Sequence, residues 1–158
     1  MAKFSETSNN RLETAHQDLQ VLFNEVVKHF DCTIVHGHRT PEEQIELFKI
    51  GREKINGEWV KVSEDVVTHK DGYNKTSKHN ENPSHAIDAV PWFPEAPHIR
   101  WEDIETLYYF AGYVLGISNM LFEQGKISHR IKTGADWSMD NDVNDESFRD
   151  IVHFEIID

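Results

Sequence analysis

Two histidines and two aspartates are spaced along this chain so that they could hold a metal ion and activate a water molecule. His79 and Asp88 lie in the segment 77–88, whereas Asp150 and His153 lie near the C-terminal end. A catalytic zinc is held by three protein ligands, because its fourth position must accept water or substrate. His79, Asp88 and His153 would supply those ligands, and Asp150 is the natural general base for the water.

Any one of the ten histidines alone is more often a surface or hydrogen-bonded residue than a metal ligand. The predicted zinc site therefore depends on the combined positions of His79, Asp88 and His153. In a strand over 86–90, alternate side chains share a face, so Asp88 points away from the side taken by His85 and Ile87. A carboxylate among apolar neighbours needs a cation or hydrogen-bond donors to offset its desolvation. His85 is therefore a weaker candidate ligand than His79, which the intervening turn could fold back beside Asp88.

Helices and short strands must position these residues. Apolar residues at helical spacing predict helices over 11–30 and 101–123, the first with Ser8 to Asn10 as candidate caps. Thr40-Pro41-Glu42-Glu43 predicts a capping box and a third helix over 41–50. Apolar runs predict strands over 32–36, 86–90, 127–132 and 151–157, and Asn56-Gly57 predicts a hairpin. The order favours a single α+β domain over 1–158, with residues 1–10 as a flexible start. Helices would pack around a small, mainly antiparallel sheet, and the zinc site would lie at that sheet.

Composition excludes several other classes of protein. The net charge is −12 and the Lys and Arg residues do not cluster, so a nucleic-acid partner is not expected. No apolar run reaches the ~18 residues of a membrane span, and the first residues lack the apolar stretch of a signal peptide. We therefore expect a protein that is made in the cytosol and does not insert into membranes. Cys32 is the only cysteine and is expected to be a core thiol.

Three motifs resemble those of the zinc-dependent peptidoglycan peptidases. They are Gly37-His38-Arg39-Thr40, the segment from Ser77-Lys78-His79 to Ala86-Ile87-Asp88, and Asp150-Ile151-Val152-His153-Phe154-Glu155. The usual pattern of that family is Ser-x-His-x-x-Gly-x-Ala-x-Asp. Here two extra residues and an Asn-Pro-Ser turn replace the glycine segment, a variant associated with phage-type members. Gly134-Ala135-Asp136-Trp137 also resembles a phage endolysin segment, and the likeness spans about residues 30–156.

The resemblance implies a role for each matching residue. The implied zinc ligands are His79, Asp88 and His153. Asp150 would take a proton from the zinc-activated water and later return one to the leaving amine. Arg39 matches an arginine near the scissile carbonyl, where it would hold the developing oxyanion. The alternative for Arg39 is a surface residue that pairs with Glu42 or Glu43.

An acidic loop near the C-terminal end is a candidate calcium site. Calcium loops need oxygen donors at alternate positions, because alternate residues of a curled loop point inward. The candidate ligands are Asp136, Ser138, Asp140, Asp142 and Asp145. The loop lacks the central glycine and the final glutamate of an EF-hand, and the alternative is a solvated connection. Some endolysins of the resembling family are calcium-regulated, and ordering this loop would position Asp150 and His153.

The function implied by these residues and by the resemblance is a zinc endopeptidase that cuts peptidoglycan stem peptides at L-alanyl-D-glutamate, as a phage-type endolysin. The alternatives are a D-alanyl-D-alanine carboxypeptidase and a non-catalytic, metal-stabilised binding module. An endolysin would be a monomer made in the host bacterial cytoplasm, and a membrane-permeabilising partner would release it to the cell wall. The substrate pocket is expected to involve residues 52–76 and 92–100.

Overall fold

A four-stranded antiparallel sheet forms the centre of the computed structural model, which describes residues 1–158. Its strands lie in the order β1 (Cys32–His36), β4 (Ala86–Pro91), β6 (Asp150–Ile156) and β5 (Ile131–Gly134). A separate hairpin consists of β2 (Arg52–Ile55) and β3 (Glu58–Lys61). The helices are α1 (Glu6–Leu12), α2 (Gln17–His29), α3 (Pro41–Lys49) and α4 (Ile104–Glu123). The predicted α+β class with a mainly antiparallel sheet is confirmed.

The two faces of the central sheet have different surroundings. On one face, Phe154 of β6 meets Phe23 of α2 and Phe110 of α4 edge to face, with ring centroids 5.5 and 6.1 Å apart. Successive strand residues point to opposite faces, so Asp88 and His153 lie on the face away from this core. The pairing of β4 with β6 places Asp88 directly opposite His153. The hydrophobic core therefore determines which polar side chains share the open face.

The single predicted helix over 11–30 is wrong, because two helices occupy this region and a turn separates them. At the break, the Thr14 hydroxyl donates to the Arg11 carbonyl at 2.6 Å. The His16 ring then caps α2 by accepting the backbone N–H of Asp18 at 3.1 Å. Apolar spacing did not reveal the break, since buried residues flank it on both sides, namely Leu12 and Ala15.

Residues 6–10 of the segment that was predicted to be flexible belong to α1. Ser5, not a residue of the segment 8–10, caps this helix by accepting the backbone N–H of Ser8. The buried Ser8 hydroxyl lies 2.9 Å from the Thr33 hydroxyl and accepts the backbone N–H of Ile34. These bonds attach α1 to the edge strand β1.

The local signals for α3 and the hairpin are confirmed. Thr40 accepts the backbone N–H of Glu43, and the Glu43 carboxylate accepts that of Thr40, which is the expected capping box ahead of α3. Asn56 and Gly57 both have positive φ, as a type I′ turn between β2 and β3 requires.

Two boundaries differ from the prediction. α4 begins at Ile104 rather than near 101, because Asp103 is the residue that caps it by accepting the backbone N–H of Thr106. β5 begins at Ile131 rather than 127, since the Asp18 carboxylate takes the backbone N–H groups of Ser128 and His129. None of the helices combines the length and the apolar composition that a membrane span requires.

Candidate metal centre and active site

Three separate elements bring His79, Asp88 and His153 together. His79 lies in a short 3-10 helix (Lys78–Asn80), Asp88 lies in the middle of β4, and His153 lies in β6. The three side chains are buried, with exposed fractions of 2, 8 and 6%. One Asp88 oxygen, Oδ1, lies 3.1 Å from His79 Nε2 and 3.2 Å from His153 Nδ1. One ligand atom from each residue therefore falls within 4.8 Å of the others.

In each imidazole ring, the hydrogen bond made by the nitrogen that faces away from Asp88 determines whether the other nitrogen can act as a metal ligand. His79 donates its Nδ1–H to the Gly37 carbonyl at 2.7 Å, and His153 donates its Nε2–H to the Glu155 carboxylate at 2.8 Å. A neutral imidazole with one nitrogen protonated carries a lone pair on the other. With both rings neutral, two lone pairs would face the same Asp88 oxygen, so the arrangement needs either protons on the rings or a metal ion at its centre. Two imidazoles and a carboxylate, each ring oriented by an outer acceptor, form a donor set that fits zinc.

Asp88 is ionised, and both of its carboxylate oxygens have partners. Its second oxygen, Oδ2, lies 3.2 Å from His36 Nδ1 and 3.9 Å from Arg39 Nη2. Burial raises the pKa of Asp88, but hydrogen bonds from His153, His36 and His79 outweigh this and hold the pKa well below its usual range. Oδ1 is therefore the oxygen that faces the two histidines, and Oδ2 is fixed by the cleft wall.

The same contacts make His153 a strong base while no cation competes with its proton. Burial lowers the pKa of His153, but hydrogen bonds to Asp88 and Glu155, with their charges and that of Asp150, raise it to about 9. Since metal ligands must be deprotonated, a metal ion would have to displace this proton at neutral pH.

Asp150 begins β6 and lines the same cleft as the three residues of the metal centre. Burial and the negative charge of Asp88 raise the pKa of Asp150, while His153, His79 and Arg39 oppose that increase. A partly buried carboxylate with a raised pKa can both accept and return a proton, as a general base must. The backbone of Asp150 approaches Gly134 so closely that any side chain at 134 would collide with the Asp150 carbonyl.

Arg39 lies on the cleft wall and makes no ion pair with Glu42 or Glu43, so the surface alternative is wrong. Its Nη1 donates to the Gln44 side-chain oxygen at 3.0 Å, and its backbone N–H donates to the His79 carbonyl at 2.8 Å. Glu43 is occupied by the capping box instead. Arg39 therefore connects the metal centre to α3 with its guanidinium facing the cleft.

A cleft of about 540 Å³ surrounds the candidate centre. Trp137 and Phe148 form one wall, stacked with their ring centroids 6.3 Å apart, and the Trp137 ring lies 5.4 Å from the His153 ring. Residues 67–70 line the cleft, in agreement with the predicted contribution of 52–76. The predicted contribution of 92–100 is wrong, because none of these residues lines the cleft.

Two other polar residues of the segment 77–88 have local roles. His85 points away from Asp88, and its ring packs edge to face on His16, as strand alternation predicted. Ser77 caps the 3-10 helix by accepting the backbone N–H of His79 at 3.3 Å.

The acidic loop uses its carboxylates mainly on its own backbone. Asp136 is buried, and its oxygens accept the backbone N–H groups of residues 139–141 and the Ser138 hydroxyl. Asp140 and Asp142 each accept the backbone N–H two residues further on. Asp145 is exposed. None of these carboxylates belongs to a group of three or more whose ligand atoms converge within 4.8 Å.

A second group, His16, Asp18 and His129, does bring ligand atoms within 4.8 Å, but hydrogen bonds already use them. One Asp18 oxygen accepts the backbone N–H groups of Ser128 and His129, both at 2.9 Å, and the His129 ring N–H at 2.7 Å. His16 Nδ1 is the cap of α2. Burial raises the pKa of Asp18, but these hydrogen bonds outweigh it and lower the pKa. The group anchors the loop before β5, and we assign no ion to it.

Three residues of the site were not identified from the sequence. Glu155 orients His153, and its position two residues further along the same strand was the signal that could have found it. His36 contacts Asp88, and its position at the end of β1 gave no such indication. Gln44 is 1% exposed and holds both Arg39 and the segment 68–70. A buried glutamine on a helix has no sequence signature.

Comparison with known proteins identifies the family. No curated protein sequence matches the chain. Among solved structures, the L-Ala D-Glu endopeptidase ChiX of Serratia marcescens aligns with a TM-score of 0.61 over 98% of this chain and 90% of that one. The two sequences are 16% identical, so this likeness shows the fold. The sequence matches the family described as phage L-alanyl-D-glutamate peptidase over residues 1–157. With nearly its whole length matched, the chain belongs to this family of peptidases, which act on the stem peptides of peptidoglycan.

Proposed function

We propose that this peptidoglycan peptidase is zinc-dependent, with His79, Asp88 and His153 as its zinc ligands and Asp150 as its general base. One observation carries the proposal. Each ring donates its outer N–H to a fixed acceptor, Gly37 or Glu155, so the inner nitrogens of both rings and one carboxylate oxygen face the same point. A purely structural zinc would require a fourth protein ligand.

Zinc at this point would supply a Lewis acid that lowers the pKa of water and polarises a carbonyl. Asp150, with its pKa already raised, accepts the proton of the attacking water on a carboxylate oxygen and holds it. It then delivers that proton to the amine of D-glutamate as the peptide bond breaks. The second step requires no other acid in the cleft.

Arg39 would donate to the oxygen of the scissile carbonyl as negative charge develops there. Its Nη1 is held by Gln44, which leaves Nη2 directed at the cleft 3.9 Å from Asp88. A fixed donor of this kind typically contributes about 2.7–4 kcal/mol to transition-state stabilisation. The apolar wall of Trp137 and Phe148 would pack on the peptide and exclude water beside the reacting bond.

Digestion of purified peptidoglycan, followed by mass spectrometry of the fragments, tests the reaction. Zinc-loaded protein should produce L-alanine C-termini and D-glutamate N-termini, and Asp150→Asn should not. Release of D-alanine alone would instead identify the D-alanyl-D-alanine carboxypeptidase alternative. Absence of any cleavage would favour the non-catalytic binding module.

The zinc assignment needs its own test. Elemental analysis should find one zinc per chain in the wild-type protein and much less in His79→Ala, whereas His85→Ala should keep its zinc. Equal zinc content in the two variants would contradict the ligand assignment.

Calcium regulation by the acidic loop remains a separate proposal. Its support is electrostatic, since slight desolvation and repulsion from Asp140, Glu146 and Asp142 raise the pKa of Asp145. A bound cation would relieve that repulsion. If the proposal is correct, millimolar Ca²⁺ raises both the melting temperature and the activity, and Asp142→Asn abolishes the response. Unchanged activity across a calcium titration would rule it out.

The phage family also motivates a proposal about delivery. The enzyme would be a monomer made in the host cytoplasm, and a membrane-permeabilising partner would give it access to the wall. Bacteria that express the chain alone should then remain intact and should lyse when their inner membrane is permeabilised. Sedimentation velocity would test the monomeric state.

A further inference from the structure

The substrate carries a charge that this protein must accommodate. In a stem peptide that continues through the γ-carboxyl group, the α-carboxylate of D-glutamate stays free and sits on the carbon next to the scissile nitrogen. The protein has a net charge of −12, and the cleft itself contains Asp88, Asp150 and Glu155. An anionic substrate group beside these carboxylates needs a cationic partner to offset the repulsion.

Two residues with permanent positive charge line the cleft, Arg39 and Lys70. The Arg39 guanidinium is already engaged by Gln44 and lies beside Asp88. Lys70 is exposed and makes no direct ion pair, although its positive charge helps to lower the pKa of Glu155 across the cleft. Its ammonium group is therefore available to a ligand.

The histidine next to Lys70 is a weaker candidate for this role. His69 Nδ1 lies 3.2 Å from the Arg52 guanidinium, which has only N–H donors, so this nitrogen acts as an acceptor. This contact engages His69, whereas the Lys70 ammonium group makes no side-chain hydrogen bond.

The backbone of Lys70 is fixed relative to Arg39 by a single buried side chain. Gln44 accepts from Arg39 Nη1 through its amide oxygen and donates through its amide nitrogen to the Lys70 carbonyl at 2.8 Å. The same nitrogen lies 3.3 Å from the Thr68 hydroxyl, which in turn accepts the Lys70 N–H at 3.1 Å. One amide thus places two cations on the rim of one cleft, and only the side chain of Lys70 is left to move.

We propose that Lys70 is a specificity residue that binds the free α-carboxylate of the D-glutamate on the leaving side of the cleaved bond. The inference rests on the proposed function, because the reacting bond must lie at the centre formed by His79, Asp88 and His153. Arg39 and Lys70 would then bind two different groups of the substrate. Arg39 meets the oxygen of the scissile carbonyl, and Lys70 meets the neighbouring carboxylate.

Two synthetic stem peptides that differ in one group test the proposal. One carries the α-carboxylate of D-glutamate, and the other carries an α-carboxamide at the same position. Zinc-loaded wild-type enzyme should prefer the carboxylate. In Lys70→Met, kcat/KM for the carboxylate peptide should fall about 10- to 100-fold, the range expected for one hydrogen bond to a charged group. For the carboxamide peptide it should change by less than about twofold, so the preference disappears.

Lys75→Met is the matched control, since Lys75 is an exposed lysine of the same loop that makes no ion pair and does not line the cleft. This variant should keep the wild-type rates and preference. A binding measurement gives a second readout: calorimetry with the D-glutamate-containing product peptide should give weaker binding for Lys70→Met than for Lys75→Met. Lys70→Arg should recover part of the affinity, because it retains the charge.

The outcomes separate this proposal from the proposed function. If the wild-type enzyme cuts the L-alanyl-D-glutamate bond but Lys70→Met slows both peptides equally, Lys70 has only a structural role and the specificity proposal is overturned. The same conclusion follows if neither rate changes. If the wild-type enzyme cuts neither peptide, or cuts another bond, the proposed function fails and this inference fails with it.

Discussion

Replacing Glu155 should weaken zinc binding although Glu155 would not touch the metal. The carboxylate is 8% exposed, and its Oε2 accepts the outer N–H of His153 at 2.8 Å while Lys132 lies 3.5 Å from Oε1. This bond selects the tautomer in which His153 Nδ1 carries a lone pair, and it makes that nitrogen more basic. Loss of such an outer partner typically costs 10- to 100-fold in metal affinity, or about 1.4–2.7 kcal/mol.

Two substitutions separate the contributions of shape and charge. Glu155→Gln keeps an oxygen that can accept from His153, so its loss should lie near the tenfold end. Glu155→Ala removes the acceptor and should lie near the hundredfold end. Lys132→Ala, which leaves the bond to His153 intact, should have a smaller effect than either.

Competition with a chromophoric chelator measures these affinities directly, and circular dichroism of the metal-free proteins checks that each variant is folded. If Glu155→Ala is folded and binds zinc as tightly as the wild-type protein, the reasoning is refuted. His153 would then not be a ligand, or its orientation would not depend on Glu155.

Four further predictions concern protons and anchoring. Zinc binding at pH 7 should release about one proton from His153, whose pKa is raised to about 9, and calorimetry in buffers of different ionisation enthalpy would detect it. In the metal-free protein the unfolding free energy should fall as pH rises from about 6.5 to about 9, because the folded state keeps this proton longer than the unfolded state; flat stability over this range would contradict the contacts described. Asp150→Asn should keep its zinc and its melting temperature while kcat falls about 10²- to 10⁴-fold, whereas a loss of zinc would mean that Asp150 acts as a ligand. Asp18→Asn should lower the unfolding free energy by about 2–3 kcal/mol at pH 7. Because folding lowers the pKa of Asp18, this difference should shrink below about pH 4, and a constant difference in urea denaturation would argue against an ionised anchor.

The features that neighbouring residues determine were predicted correctly from the sequence. The capping box of Thr40 and Glu43 and the Asn56-Gly57 turn are determined by a few adjacent residues, and both are confirmed. Strand alternation correctly placed Asp88 and His85 on opposite sides. These features require no knowledge of the distant chain.

Some errors arise where a distant residue decides the local structure, and others arise where a single capping residue sets the start of a helix. The late start of β5 depends on Asp18, whose carboxylate takes two backbone N–H groups more than a hundred residues away. The break before α2 depends on a ring nitrogen of His16 that replaces a backbone bond. Gln44 gains its role only because the segment 68–70 folds back over α3. None of these contacts leaves a periodic or spacing signal.

The departure from the family pattern between His79 and Asp88 also has a structural explanation. The two extra residues and the Asn-Pro-Ser turn do not set the position of His79, because the segment after β1 does so. Gly37 accepts from its ring, Arg39 donates to its carbonyl, and the Asn80 side chain donates back to the Arg39 carbonyl at 2.8 Å. The connecting loop can therefore vary in length while the histidine stays in place.

Asp88 and His153 are positioned by the core rather than by each other. The register that places them opposite one another also buries Ile87 against Phe154 on the other face, and both of these residues are fully buried. A slip of one residue between β4 and β6 would turn the polar residue of one strand into the core and expose its apolar neighbour. The cost of that exchange opposes the slip, so the fold keeps the two imidazole rings and the carboxylate together before any metal ion arrives. The core thus stabilises an arrangement that the donors alone would not adopt, and this preorganisation is what a metal site requires.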